Sequence, residues 1–322
     1  MAYAVEADKL IKTYPGDVTA LDGLSITVRP GEILGLLGPN GAGKSSTIKI
    51  LTTLARPDSG TATVAGHSVL RHPDRVRRVI GVVSQNSGAD PAAGGRDNLT
   101  LQGRLYGMRG AGLTRRVDEL LDRFDLAEAA GRAVRTYSGG MRRRLDVALG
   151  LVHRPAVLFL DEPTTGLDPE ARAALWAEIG RLAGDDSLAI LLTTHYLDEA
   201  DRLAGRLAIV DHGRIVAEGT PDALKAELRG DAVHLEMSSV PDEELVRSAI
   251  GAVPGVREVV LDGARLSARA DDGPAAVPII LAALDRAGVP VASVTVARPS
   301  LDDVYLRYAG RRFAQADTGG AQ

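Results

Sequence analysis

The octapeptide GPNGAGKS, Gly38 to Ser45, lies between the apolar run EILGLL and a segment of helical spacing. Three glycines within six residues let a backbone fold around a small polyanion and aim successive N–H groups inward, while a lysine ammonium neutralises charge at the loop mouth. Such a loop works only where a buried strand ends and a helix N-terminus begins, so it demands a strand–loop–helix unit at the carboxyl edge of a sheet. The backbone of Gly38, Pro39, Asn40, Gly41, Ala42 and Gly43 forms the expected phosphate cradle, with Lys44 facing the β and γ charges. Ser45 offers its hydroxyl to Mg²⁺, and Ser46 follows within reach of the α-phosphate. Apolar spacing at Ile48, Leu51, Leu54 and Ala55 predicts that the helix runs to Arg56, before Pro57.

A phosphate loop of this kind needs a carboxylate for the metal at the end of a neighbouring strand. AVLFLDEP supplies Asp161 as metal partner and Glu162, one residue further, to orient or deprotonate water. The apolar runs AVLFLD, LAILLTT and RLAIVD alternate with helical stretches such as PEARAALWAEIGRLA, the pattern of a mostly parallel sheet. VEADKLIKTY and TALDGLSITV read as earlier β structure. Residues 88–151 read as mainly helical, with LTRRVDELLDRFDL the clearest amphipathic piece.

The predicted fold is therefore α/β over residues 1–228, with a mostly parallel core, a β subdomain and a helical subdomain at about 88–151. Residues 229–310 read as strand, helix, hairpin, helix and strand, an α+β unit compatible with a ferredoxin-like fold. Residues 311–322 read as a polar tail, expected to be disordered.

YSGGMRRR, from Tyr137, sets glycines and three arginines at a helix start capped by Ser138. An exposed helix N-terminus attracts anions. A nucleic-acid partner is nevertheless not expected. The net charge is −4, aromatic residues are 3% of the chain, and the arginines are scattered. With no cysteine, disulfides and thiolate metal sites are excluded. MAYAVEADKL lacks a basic head and apolar core, so no secretory leader is expected, and no apolar run is long enough for a membrane span.

Taken together, these motifs resemble an ATP-binding cassette (ABC) transporter ATPase over roughly residues 3–228. YSGGM resembles that family's signature, with Tyr137 and Met141 in place of the commoner Leu and Gln, and Ser46 stands where Thr is more usual. Gln85 in VVSQN matches the Q-loop glutamine, Asp168 closes a D-loop TGLD, and His195 matches the switch histidine. Tyr14 takes the place of the aromatic that stacks on adenine. The signature stretch and PSLDDVYLRYAGR resemble the daunorubicin-resistance type of exporter ATPase, which extends the likeness into the C-terminal unit.

The resemblance implies ATP and Mg²⁺ as cofactors, with Ser45, Gln85 and Asp161 at the metal and Glu162, His195 and Gln85 in catalysis. It further implies a head-to-tail homodimer in which Ser138, Gly139 and Gly140 face the nucleotide of the partner chain. A separate multi-span permease, a peripheral place on the cytoplasmic face of the membrane, and export of drug, antibiotic or lipid-like compounds follow by the same likeness. An importer ATPase and a soluble cassette acting on ribosomes or DNA are the alternatives. Arg142, Arg143 and Arg144 point several ways around one helix, so they are read as surface residues outside the site.

Overall fold

The computed structural model describes residues 2–185, 187–228 and 230–309, so the expected tail at 311–322 lies outside the described residues. The chain divides into two compact units, residues 1–218 and 219–322.

In chain order the strands of the first unit are β1 (Val5–Tyr14), β2 (Val18–Val28), β3 (Ile33–Leu37), β4 (Ser59–Val64), β5 (His67–Ser68), β6 (Ile80–Val83), β7 (Val157–Asp161), β8 (Ala189–Thr194), β9 (Arg206–Asp211) and β10 (Arg214–Gly219). Its helices are α1 (Lys44–Leu51), α2 (Pro73–Val79), α3 (Gly95–Leu105), α4 (Gly110–Arg123), α5 (Gly139–Leu151), α6 (Pro169–Asp185) and α7 (Leu197–Leu203). The main sheet has the order β10-β9-β3-β8-β7-β6, and a second sheet has the order β2-β1-β4-β5.

Strands β3 and β8 are buried at every position, as strands covered on both faces must be. Alternate residues divide between two cores. Val157 and Phe159 pack with the β subdomain, while Leu158 and Leu160 pack with the helical region, following the two-residue period of a strand. The pairings of β3 with β8, β8 with β7 and β7 with β6 are all parallel. In register, Leu37 lies opposite Thr194, Asp161 opposite Thr193 and Val83 opposite Leu160. The loop after β3, the carboxylates after β7, His195 after β8 and Gln85 after β6 thus emerge along one edge.

Helix α1 is shorter than its apolar spacing predicts. It ends at Leu51, Thr52 bonds back to the Ile48 carbonyl at 2.8 Å, and Thr53 enters the left-handed region at φ 66. That reversal turns Leu54 outward, leaving it 73% exposed.

The helical region was expected at about 88–151, and α3, α4 and α5 fall within that span. Helix α5 lies hard against β6. A Cβ added to Gly81 would stand 2.2 Å from the Gly150 carbonyl oxygen, so glycine at Gly81 is what permits the approach.

The second unit contains α8 (Pro221–Ala226), β11 (Asp231–Met237), α9 (Glu243–Gly251), β12 (Val256–Asp262), β13 (Arg265–Ala270), α10 (Gly273–Arg286), β14 (Val291–Ala297) and α11 (Leu301–Ala309). The sheet order β12-β13-β11-β14, antiparallel at each pairing, is that of a ferredoxin-like βαββαβ unit. Helix α8 falls within this unit. Glu227, just past its end, accepts from Arg307 at its carbonyl (3.1 Å) and from the Tyr308 hydroxyl at its carboxylate (2.6 Å).

Candidate functional site

The loop Gly38–Gly43 connects β3 to α1, and its tightness is set by Gly43. At φ 110, with a Cβ position only 2.4 Å from the Ala20 carbonyl oxygen, no other residue fits there. The Lys44 side chain is buried, and its ammonium donates to the carbonyls of Gly38 (2.6 Å) and Pro39 (3.0 Å). Asn40 and Ser45 are exposed at the loop mouth, and Ser46 is half-buried.

Glu162 is the point where the predicted residues converge. Its Oε1 lies 3.1 Å from His195 Nδ1 and 3.8 Å from Lys44 Nζ. Its Oε2 accepts from Gln85 Nε2 at 3.5 Å and from Thr165 Oγ1 at 3.4 Å. The hydrogen bond from His195 holds the Glu162 carboxyl below the usual carboxylate range, and the charges of His195 and Lys44 add to this against the opposing effect of burial. A carboxylate kept ionised beside an ammonium can accept a proton from water while the ammonium holds a negative reactant.

Asp161 is fixed separately. Thr193 Oγ1 donates to its Oδ1 at 2.6 Å and also receives the Glu162 backbone N–H at 3.1 Å. Thr193, fully buried on β8, thereby sets both carboxylates; sequence reading missed it, although it stands two residues before His195.

The prediction for Arg143 is corrected by the structure. Arg142 is exposed and Arg144 reaches Asp125 at 3.0 Å, as surface residues do, but Arg143 is only 7% exposed. Its guanidinium donates to the backbone carbonyls of Pro163 (2.5 Å), Ser84 (2.5 Å), Asp161 (3.1 Å) and Glu162 (3.1 Å). The physical reason is a second buried stripe on α5. Arg143, Asp146, Val147 and Gly150 recur at helical spacing, and Asp146 in turn accepts from Ser87 Oγ at 2.7 Å. Burial raises the Asp146 carboxyl above its ordinary range despite Ser87 and Arg143. The apolar periodicity hid this stripe because two of its members are charged.

A further missed residue, Glu199 on α7, is fully buried and accepts from Thr164 Oγ1 at 2.8 Å and Trp176 Nε1 at 2.9 Å. It ties the segment after Glu162 to the helix after His195.

Ser138 caps α5, accepting from the Met141 N–H at 3.2 Å. Tyr137, where the resembled signature has leucine, is buried; its hydroxyl donates to the Ala129 carbonyl at 2.8 Å and fills the space above Gly95. Gly139 and Gly140 adjoin Leu167 and Ala171, and Asp168 accepts from the Ala171 N–H at 2.9 Å. The signature and D-loop therefore share one surface, whereas no hydrogen bond joins Ser138 to the phosphate loop among the described residues. Tyr14 is half-buried with the Lys12 ammonium 5.5 Å from its ring centroid.

The residues fit a nucleoside triphosphate with its metal. The glycine cradle and buried ammonium match a triphosphate. One carboxylate and one exposed serine hydroxyl suit Mg²⁺, which keeps several waters and takes phosphate oxygens for the rest.

Comparison with known proteins agrees. A family model described as "ABC transporter" matches residues 21–165, and one described as "ATP-binding protein DrrA1-3-like, C-terminal domain" matches residues 219–309. The chain belongs to the ABC transporter ATP-binding proteins, which bind ATP and hydrolyse it to drive transport. Among its relatives, the daunorubicin resistance ATP-binding protein DrrA3 of Streptomyces coeruleorubidus is 45% identical over 97% of this chain and 98% of its own length. The Nod factor export ATP-binding protein I of Paraburkholderia xenovorans is 41% identical over 96% of this chain and 98% of its own. A solved structure titled as the ATP-binding subunit of an ABC transporter matches with a TM-score of 0.63 at 29% identity, covering 70% of this chain and 92% of that one.

Proposed function

We propose that this chain powers export of drug, antibiotic or lipid-like compounds through a separate membrane permease, using Glu162 as the base that activates water. The observation that carries the catalytic assignment is the Glu162 carboxylate itself, held ionised within reach of His195, Lys44 and Gln85. Lys44 and the loop N–H groups bind the β and γ phosphates, and the Tyr14 ring stacks on adenine. Ser45, Asp161 and Gln85 would hold Mg²⁺, which would supply neutralisation of phosphate charge. Glu162 takes the proton as the water oxygen bonds to the γ-phosphorus and the bond to the β-bridging oxygen breaks, while His195 orients Glu162 and contacts the γ-phosphate.

Ser138, Gly139 and Gly140 act on the nucleotide of a second copy, the two chains pairing head to tail. The shared surface of signature and D-loop supports this reading. No helix among the described residues is long and apolar enough to cross a membrane, and the reading gives the route for cargo to a partner permease. Leu54, Val82, Leu101, Leu105 and Tyr106 are exposed apolar side chains, and three of them line one cavity of about 300 Å³ with Gln102 and His153. An exposed apolar patch of this kind suits a permease loop, which would hold the chain against the cytoplasmic face of the membrane. Names of the relatives carry the export direction.

The test is Glu162→Gln. ATP binding is retained, hydrolysis falls by about 100-fold or more, and an ATP-bound dimer accumulates in size-exclusion chromatography. Unchanged turnover in this variant removes Glu162 from the role.

A further inference from the structure

The second unit carries a charged residue that the nucleotide chemistry leaves unexplained. Alternation along β11 and β13 sends Val233, Leu235, Leu266, Ala268 and Ala270 into the core with α9 and α10. His234, Ser267 and Arg269 consequently point to the opposite face. There α11 approaches, with Asp303 Oδ1 3.4 Å from His234 Nε2 and Asp303 Oδ2 3.5 Å from Arg269 Nη2.

Arg269 is 5% exposed, and its Nη1 has no hydrogen-bond partner among the described residues. Its neighbour Asp303 is already engaged, accepting from the Ser300 N–H at 2.9 Å and hydroxyl at 2.7 Å. A buried guanidinium donor left unsatisfied is unfavourable, and nature rarely retains one without a use. Beside it lies a cavity of about 300 Å³ between α11 and the sheet, lined by Arg269, Glu258, Val260, Asp303, Leu306 and Arg307. Its wall is irregular. The β12–β13 register breaks between Arg257 and Val260, so Glu258 and Val259 stand opposite Ala268 alone, and Glu258 takes φ 50. Such a bulge on an edge strand redirects side chains and is maintained only where the surroundings enforce it.

We infer that this cavity is a binding site for a small organic monocarboxylate, whose carboxylate pairs with Arg269 and whose short apolar body lies against Val260 and Leu306. The guanidinium fork suits a planar carboxylate. Glu258 and Asp303 balance Arg269 and Arg307 in the lining, which therefore has no spare positive charge for the second negative charge of a dianion such as phosphate. The volume is at the small end for ligand pockets and admits a body of a few carbons.

Isothermal titration of the full-length chain, at constant ionic strength, with isovalerate and separately with inorganic phosphate tests the assignment. Isovalerate binds with a Kd of about 1 mM or tighter, and phosphate fails to compete. Arg269→Gln weakens isovalerate at least 10-fold. Val260→Phe, which fills the cavity and leaves Arg269 in place, does the same. A wild-type far-UV circular dichroism spectrum and a cooperative urea transition in both variants show that the second unit stays folded. Absence of isovalerate binding to the wild-type chain, equal affinity in Arg269→Gln, or preference for phosphate overturns the proposal.

Discussion

The guanidinium of Arg143, on the helix that begins with the signature, donates to the main-chain carbonyl of Glu162 at 3.1 Å. Glu162 occupies the left-handed backbone region at φ 49, an unfavourable conformation for a residue with a Cβ. The same guanidinium holds the carbonyls before and after it, those of Asp161 and Pro163. Arg143 thus fixes the backbone from which the Glu162 carboxylate projects.

Arg143→Ala leaves four carbonyls, that of Pro163 buried and the others partly so, without this donor and is expected to destabilise the chain by about 3 kcal/mol, read by urea unfolding. Arg143→Lys restores a charge but cannot span the same fork, so it regains more stability than turnover. Equal recovery of both would reduce Arg143 to a packing role.

Gly81→Ala places a methyl 2.2 Å from the Gly150 carbonyl oxygen, a backbone atom that cannot rotate away. The expected loss is about 3 kcal/mol, seen as a lower denaturation midpoint. An unshifted midpoint would mean that α5 moves off β6 at no cost.

For the pH dependence, the His195 hydrogen bond depresses the Glu162 pKa, so the carboxylate stays charged into the acid range and hydrolysis fails as pH falls through that lowered value. His195→Ala removes the principal cause. The acid limb of single-turnover hydrolysis should then move to higher pH, on top of any fall in rate. The stabilisation that comes with the depressed pKa is present above the unfolded value and is likewise lost as pH falls through the folded one. An unmoved acid limb would separate His195 from Glu162 ionisation.

Sharing of the site between two copies is tested by mixing. A Lys44→Ala chain and a Ser138→Arg chain, each inactive alone, should recover activity when combined, since one of the two composite sites in the mixed dimer is intact. Persistent inactivity of a mixed dimer demonstrated by cross-linking counts against a signature that acts in trans.

How much of this was legible beforehand depended on whether chemistry travelled with a local pattern. GPNGAGKS between strand and helix, and an acidic pair ending an apolar run, each carry their reason in a few adjacent residues, and the parallel sheet follows from the alternation of apolar runs. The βαββαβ order of the second unit was readable for the same reason. Helix α1 was read too long because Leu54 keeps the apolar spacing, while Thr53 breaks the backbone with a conformation that spacing does not encode. Thr193 and Arg143 escaped because their partners are main-chain carbonyls and a carboxylate remote in sequence. A buried arginine satisfied by carbonyls looks, in one dimension, like any solvated arginine.

Helix α5 is anchored along its flank and presents its tip elsewhere. Its 13 residues make a rod of about 20 Å. With Gly150 seated on Gly81 and Arg143 pinned to the strand end, the rod is held at two points, one of them beside Glu162. Displacing the Ser138 end therefore strains the Arg143 hydrogen bonds to the Glu162 backbone, so the tip of α5 and that carboxylate are joined within one chain.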